Sequence, residues 1–358
     1  MNFFRRILAF TFIIIFIVVT LTSPSPKAIT TETNKISRTP IRAGVLLYFF
    51  EDSYLLLLKK NLEDIQKENP DKIEFTFFDG KANPAIQYEI INNMINDNFD
   101  LLLLNIFEAK ENTLQEIINK AKQKSLPLII FISTIPNIDI VKTYSKLAFI
   151  PADTKEPAIL EGKIIADAWN ENKKAIDKNG DNILQYIMLK GKTDSVLSNS
   201  RTKYSVESIN TLGIQTEELA TVSCNWSRQI AKESTRSLFI RFGNKIEAII
   251  ANNDILALGA IDALQGLGYN KGNKLKTIPV VGIDALPEAQ ELIKKGYMLG
   301  SVFHDPSTMA DAIYNIGLNL VSGKSITSGT DYKIDPSGVI VNINFKEYTI
   351  KTLSEISQ

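Results

Sequence analysis

The sequence predicts an α/β protein built as two sequential Rossmann-like lobes with a cleft between them. The chain has 358 residues, more than one ordinary hydrophobic core accommodates. From residue 41 onward, short apolar runs alternate with amphipathic stretches of helical spacing. Near-continuous apolar strands followed by helices indicate parallel sheets covered on both faces. The alternation pauses after residue 133 and resumes near residue 156, so the strands divide into two groups.

The elements follow from periodicity. In the first group, residues 43–49, 72–78, 101–106 and 128–133 read as strands; the third is apolar except for Asn105. Residues 54–68, 86–96 and 114–123 between them have apolar side chains at helical spacing. In the second group the helices fall at 156–170, 201–212, 229–242, 254–267 and 287–295, and the strands at 184–189, 216–223, 248–251, 278–283 and 298–303. A helix over 307–322 and two strand-like runs, 332–334 and 339–343, close the chain. In open α/β sheets, ligands bind beyond the carboxyl ends of the strands. Polar residues just after strands are therefore the candidates for function.

Composition narrows the function. The chain is 44% hydrophobic and 22% charged with zero net charge, a folded protein with no electrostatic footprint for nucleic acid. Its single cysteine, Cys224, excludes an intrachain disulfide. Its single histidine, His304, excludes a multi-histidine metal site. No nucleophile–base pair and no phosphate-cradling glycine loop is present, which argues against an enzyme.

At the amino terminus, Arg5 and Arg6 precede an apolar run over 7–21, interrupted by Thr11 and Thr20 and ended by Pro24 and Pro26. A basic start followed by about 15 apolar residues is a secretory signal. No cysteine follows it for a thioether lipid anchor. Residues 1–28 are thus a signal peptide or a retained membrane anchor, 29–40 a polar linker, and the remainder extracytoplasmic.

The stretch 177–185, "DKNGDNILQ", carries oxygen side chains at positions 1, 3, 5 and 9 of a calcium loop, with a backbone carbonyl available at position 7. Position 12, where a helix–loop–helix site has a bidentate glutamate, is Met188. The sequence around this loop, "DKNGDNILQYIMLKG" (177–191), together with "NKIEAIIANNDILALGAIDAL" (244–264), "IPVVGIDALPEA" (278–289) and "GVLLYFFEDSY" (44–54), resembles the bacterial periplasmic sugar-binding family, in its calcium-containing glucose/galactose branch. The register runs from about residue 41 to the carboxyl terminus.

That resemblance implies the periplasmic binding protein type I fold, with three hinge crossings near 151–153, near 304–306 and around Val341. It assigns 41–151 with 306–340 to the amino-terminal lobe and 152–305 with 341–358 to the other. The missing carboxylate of the loop then comes from a distant strand, as Glu247. The implied calcium ligands are Asp177, Asn179, Asp181, Ile183 through its carbonyl, Gln185 and Glu247, an all-oxygen set suited to a hard cation. Asn182 stands where such loops turn on glycine; asparagine tolerates that backbone next best.

The resemblance also implies a sugar site. Planar polar groups bond sugar hydroxyls, and aromatic rings stack on C–H faces. Asp52, Arg201, Asn253 and Asp284 would supply the first, Trp226 and Tyr54 two stacking walls, with Tyr54 where the family has phenylalanine. Four positions depart: Ser133 replaces an asparagine, Ser195 a histidine, Leu197 an aspartate and His304 an asparagine. Loss of the aspartate and histidine weakens the case for unmodified glucose or galactose. Either the ligand is a different or modified sugar, with Leu197 against an apolar substituent or an absent hydroxyl, or the register shifts before Arg201 and Asp194 fills the gap. The implied function is capture of a monosaccharide between the lobes for the membrane permease of an ABC importer; a sensory co-receptor for a sensor kinase is the alternative. A monomer is expected.

Overall fold

In the computed structural model, residues 40–106, 110–134 and 137–353 are described, without the Ser133 side chain. The expected leader, and all of the linker but Pro40, lie outside the described residues. No helix among the described residues is long and apolar enough to cross a membrane.

The first lobe is a five-stranded parallel sheet of β1 (Ile41–Leu47), β2 (Ile73–Asp79), β3 (Leu101–Leu104), β4 (Leu128–Ser133) and β5 (Leu147–Pro151), in the order β2-β1-β3-β4-β5. Helices α1 (Ser53–Glu68), α2 (Pro84–Asn96) and α3 (Glu111–Gln123) connect its strands. Side chains alternate across a strand, so the all-leucine β3 feeds two cores. Leu101 and Leu103 pack with Leu58 and Leu62 of α1. Leu102 and Leu104 pack on the opposite face with Met94 of α2 and Ile117 of α3. Burial on both faces is why these strands are uninterrupted apolar runs.

The second lobe repeats the scheme. Its sheet has the order β11-β10-β9-β8-β6-β7, formed by β6 (Ile183–Lys190), β7 (Gln215–Ser223), β8 (Ala248–Ala251), β9 (Val280–Asp284), β10 (Gly300–Phe303) and β11 (Lys346–Thr349). Helices α4 (Glu156–Ile176), α5 (Val196–Thr211), α6 (Arg228–Phe242), α7 (Asp254–Gly266) and α8 (Pro287–Lys294) accompany it. Helix α9 (Pro306–Val321) returns to the first lobe, where Met309, Ile313 and Ile316 join the core beneath α1. The chain therefore passes between the lobes three times: after β5, after β10, and between Val341 and β11.

Three local expectations differ from the structure. Strand β5 is absent from the sequence reading because a 3-10 turn, Ile138–Thr143, interrupts the preceding alternation. The runs 332–334 and 339–343 form only isolated bridges, Ile334 with Val341 and Phe149 with Ile340. The closing strand is β11, "KEYT", antiparallel to β10; it has too few apolar residues to register as a strand by periodicity. Helix α4 continues to Ile176 through a non-helical residue, Asn172, which is where the predicted helix at 156–170 loses its spacing.

Candidate functional site

The ends of β1, β3, β7, β8, β9 and β10 converge on a cavity of about 290 Å³ between the lobes. Asp52, Tyr54, Arg201, Trp226, Asn253, Asp284 and His304 all line it, together with Leu197. Seven of the nine expected sugar-site residues thus share one cleft. Asp52 follows β1 and caps α1, its Oδ1 accepting from the Leu55 amide at 2.9 Å. Asn253 follows β8 and caps α7 by accepting from the Leu256 amide at 3.2 Å. One oxygen of each side chain is fixed by its helix, which orients the rest of the group toward the cavity.

The backbone around the cleft is unusual. Ile132, Asn225, Trp226, Asp284 and Ala285 all have left-handed φ, at 45°, 50°, 60°, 112° and 49°. For non-glycine residues such conformations cost about 1–3 kcal/mol each and concentrate at functional sites. A β-branched residue such as Ile132 is especially disfavoured there. At Gly191, a Cβ would overlap the Trp226 ring and the Ser198 hydroxyl. Glycine there lets the indole lie directly on the loop between β6 and α5.

Burial dominates the electrostatics. It raises the Asp52 carboxyl, against the pull of the Leu55 and Tyr54 amides and Arg201. It pushes Asp284 up to about 7, with Arg201 opposing and Asp52 reinforcing the shift. Both carboxyls, one from each lobe, line the same cavity. His304 is driven down to about 3 by burial and then by Arg201, so it is a neutral imidazole. Behind Asp284, the buried Asp254 accepts from the Ser301 hydroxyl and the Leu286 amide, both at 2.6 Å, which fixes the turn after β9.

Two polar groups are left over. Arg201 is 8% exposed and donates through Nη1 to the Asn252 carbonyl at 2.7 Å, but its Nε has no partner among the described residues. The Tyr54 hydroxyl is also buried without one. Buried polar atoms ordinarily find partners; these two belong to residues that line the cavity.

One expectation needs correction, and one gains a detail. Ser195 is buried and absent from the cavity lining; its Oγ accepts from the Ser198 amide at 3.2 Å as the cap of α5. Tyr54 does reach the cavity, but its ring stacks on His304, with centroids 4.3 Å apart and planes at 6°, and His304 packs in turn against Phe345. One face of the Tyr54 ring is thus taken by His304, while the residue still lines the cavity. The Ser133 side chain lies outside the described residues.

The sequence reading missed other lining groups, notably Tyr48, Asn105 and Lys192. Asn105 accepts from the Tyr48 amide at 3.0 Å and donates to the Phe131 and Ile132 carbonyls at 3.2 and 3.0 Å, fastening β1, β3 and β4 at the cleft. A lone asparagine in an apolar strand was the available signal.

At the opposite end of β6, the structure brings Glu247 to the 177–185 loop. Its Oε1 accepts from the Lys178 amide at 2.6 Å and its Oε2 from the Gln185 amide at 3.1 Å. Asp177 accepts from the Gly180 and Asn182 amides, and Asn182 has φ 67°, as its position requires. Asp181 accepts from the Asn179 and Gln185 side-chain amides, both at 2.8 Å, and from the Ile183 amide at 2.8 Å. Burial and the nearby Asp177 and Asp181 carboxylates raise the Glu247 pKa. No group of three or more acidic, histidine or cysteine side chains already sits at metal-binding spacing among the described residues. The donors are gathered but bonded to one another. As a chemical set, three neighbouring carboxylates with two carboxamides suit a hard divalent cation.

Residues 43–325 match the periplasmic binding protein domain family, and the chain belongs to that family. Its two α/β lobes have the periplasmic binding protein type I fold. The chain is 32% identical over 294 residues to the D-galactose/methyl-galactoside binding periplasmic protein MglB of Haemophilus influenzae, an alignment that covers 82% of this chain and 85% of that one. It is 22% identical over 296 residues to the xylitol-binding protein of Mycolicibacterium smegmatis, covering 82% and 74%. Its fold is similar to that of two solved ABC-transporter solute-binding proteins. One, from Bacillus halodurans with bound myo-inositol, has a TM-score of 0.70 and 22% identity, with 89% and 98% of the chains covered. The other, from Actinobacillus succinogenes with bound D-allose, has a TM-score of 0.71 and 17% identity, with 88% and 100% covered.

Proposed function

We propose that the protein captures a monosaccharide of hexose type, or a closely related cyclic polyol, between its lobes outside the cytoplasm and delivers it to the membrane permease of an ABC importer. The observation that carries this reading is the pairing of Asp52 from one lobe with Asp284 from the other across a cavity they share with Arg201. A cavity of about 290 Å³ is at the lower end of small-molecule pockets, roughly 300–1,000 Å³, which suits one sugar ring. Carboxylates accept from ligand hydroxyls, the Arg201 guanidinium donates, and the Trp226 ring covers a C–H face.

Binding works by closure. A ligand that bonds residues of both lobes stabilises the closed arrangement and not the open one, so its differential contacts shift the hinge equilibrium. Neutral His304 and the carboxylates offer hydrogen bonds without a strong net field, in keeping with an uncharged ligand. Extracytoplasmic placement follows the family and the basic-apolar amino terminus.

In the same reading, Asp177, Asn179, Asp181, the Ile183 carbonyl, Gln185 and Glu247 hold calcium away from the cleft. The ion would supply a structural clip between the start of β6 and the residue before β8. Because it binds only the folded chain, it would add stability by mass action.

A thermal-shift panel of hexoses, pentoses and cyclitols, each with calcium or with chelator, tests both parts. The expected result is a rise in melting temperature with at least one polyol and a fall on chelation. No rise with any polyol would overturn the ligand assignment.

A further inference from the structure

Leu275 and Ile240 are the two most exposed large apolar side chains among the described residues, at 90% and 75%. Leu275 sits at the centre of a short 3-10 turn, Lys274–Lys276, in the loop before β9. Ile240 lies in the last turn of α6, before β8. The two segments are neighbours. The Tyr269 hydroxyl donates to Asn244 Oδ1 at 3.1 Å, and the Phe239 and Tyr269 rings meet edge to face with centroids 4.9 Å apart. The loop is closed at its base, where the Asn270 amide donates to the Lys276 carbonyl at 2.8 Å and the Asn270 side chain to the Ile278 and Tyr297 carbonyls.

The charge around these two side chains has one sign. Residues 234–246 and 266–277 carry Arg236, Arg241, Lys245, Lys271, Lys274 and Lys276, and no acid. All six are exposed, and none forms an ion pair among the described residues. Arg236 stands one turn before Ile240 on the same helix face. The whole chain has zero net charge, so the excess is local. Like charges repel, and bare apolar side chains gain by leaving water. One kind of partner relieves both: a surface that is anionic outside and apolar beneath. Lysines flanking a leucine hold their ammonium groups at headgroup level while the leucine inserts. A folded acidic partner would need a pocket shaped to each tip, whereas a bilayer deforms around both.

We propose that this end of the second lobe docks on an anionic lipid bilayer, with Leu275 and Ile240 in the acyl boundary and the surrounding cations on the phosphate headgroups. The two segments precede β8 and β9, and the cleft opens beyond the opposite ends of the same strands. A docked molecule therefore keeps its cleft turned away from the bilayer and open to ligand. Docking is independent of what the cleft holds. Each cation that reaches an anionic surface strengthens partition about 5-fold, and burial of a leucine about 10-fold or more.

The test is sedimentation of the full chain with vesicles of phosphatidylcholine, alone or mixed with phosphatidylglycerol. Binding to the anionic vesicles is expected to be at least about 10-fold tighter and to weaken as salt is added. The paired Leu275→Ser and Ile240→Ser variant should bind about 10-fold less tightly or worse. The paired Lys274→Glu and Lys276→Glu variant should lose at least about 10-fold. All four side chains are exposed, so both variants should keep the wild-type melting temperature. Residues before Pro40 are the same in every protein, so attachment through them persists in the variants. Amide hydrogen exchange reads the contact itself and should slow over 239–245 and 271–276 with anionic vesicles. Unchanged exchange in both segments, or wild-type binding by both variants, overturns the inference.

Discussion

The Lys192 ammonium lies 3.1 Å from the Tyr48 hydroxyl and 5.7 Å from the centre of its ring. Lys192 belongs to the loop after β6 in the second lobe, and Tyr48 follows β1 in the first. One side chain thus clasps another across the ligand cleft, beside the cavity both help to line. The contact exists only when the lobes are together, so it favours the closed arrangement.

Removal of the clasp should speed ligand escape. Lys192→Met is expected to raise the dissociation rate about 3- to 10-fold, as loss of a partly exposed charge-assisted hydrogen bond should. The association rate should change little. Stopped-flow release of bound sugar measures both. An unchanged dissociation rate would show that the contact does not hold the cleft shut.

Asp284 should make stability depend on pH. Its carboxyl titrates near 7 in the folded chain, against an ordinary 3.8. The folded protein therefore binds this proton more tightly than the unfolded chain, and stability falls as pH rises from about 4 to about 7. The penalty is complete above about 7 and absent below the unfolded value. Wild type should gain melting temperature relative to Asp284→Asn as pH is lowered from about 8 to about 6, without ligand. A constant difference between the two proteins over that range would contradict the burial of this carboxyl.

The contact at Gly191 should be intolerant of a methyl group. A Cβ there meets the Trp226 ring and the Ser198 hydroxyl. Overpacking of this kind costs about 1–3 kcal/mol. Gly191→Ala is expected to lower the melting temperature and to weaken sugar binding about 10-fold or more, because the displaced indole is a wall of the cleft. Tryptophan fluorescence, with Trp226 and the buried Trp169 as the only two indoles, reports the displacement. Wild-type emission and affinity would remove Trp226 from the site.

Chelation should destabilise the second lobe through the 177–185 loop. Glu247 joins that loop to the residue before β8 through the Lys178 and Gln185 amides. The melting temperature of wild type should fall when calcium is withdrawn and recover when it is restored, since a bound ion stabilises only the folded state. Glu247→Gln should melt at one temperature with or without chelator. A wild type indifferent to chelator would remove calcium from the account.

Much of this site is visible in the sequence because acids and amides stand out after apolar strands. Asp52, Asn253 and Asp284 each end such a run, and each lines the cleft. Tyr48 and Lys192 follow strands too, but an aromatic beside Phe49 and Phe50 reads as core, and a lysine in a polar loop reads as solvated. Their partnership depends on how one lobe meets the other, which no local pattern encodes. Ser195 shows the converse: the register of the family resemblance assigned it to the sugar site, but it serves as the cap of α5, its hydroxyl bonded to the backbone. In the fold, all-leucine β3 was legible because both its faces are buried. Strand β11 was not, because "KEYT" is held mainly by its pairing with β10.

The account stands on Asp52 and Asp284 closing together on one polyol. Calorimetric titration of the protein and of the Asp52→Ala and Asp284→Ala variants, with the best compound from the sugar panel, tests this directly. Each substitution removes a carboxyl that bonds the ligand and should weaken binding roughly 10-fold, whichever lobe it comes from. Wild-type affinity in either variant would contradict a grip shared between the lobes.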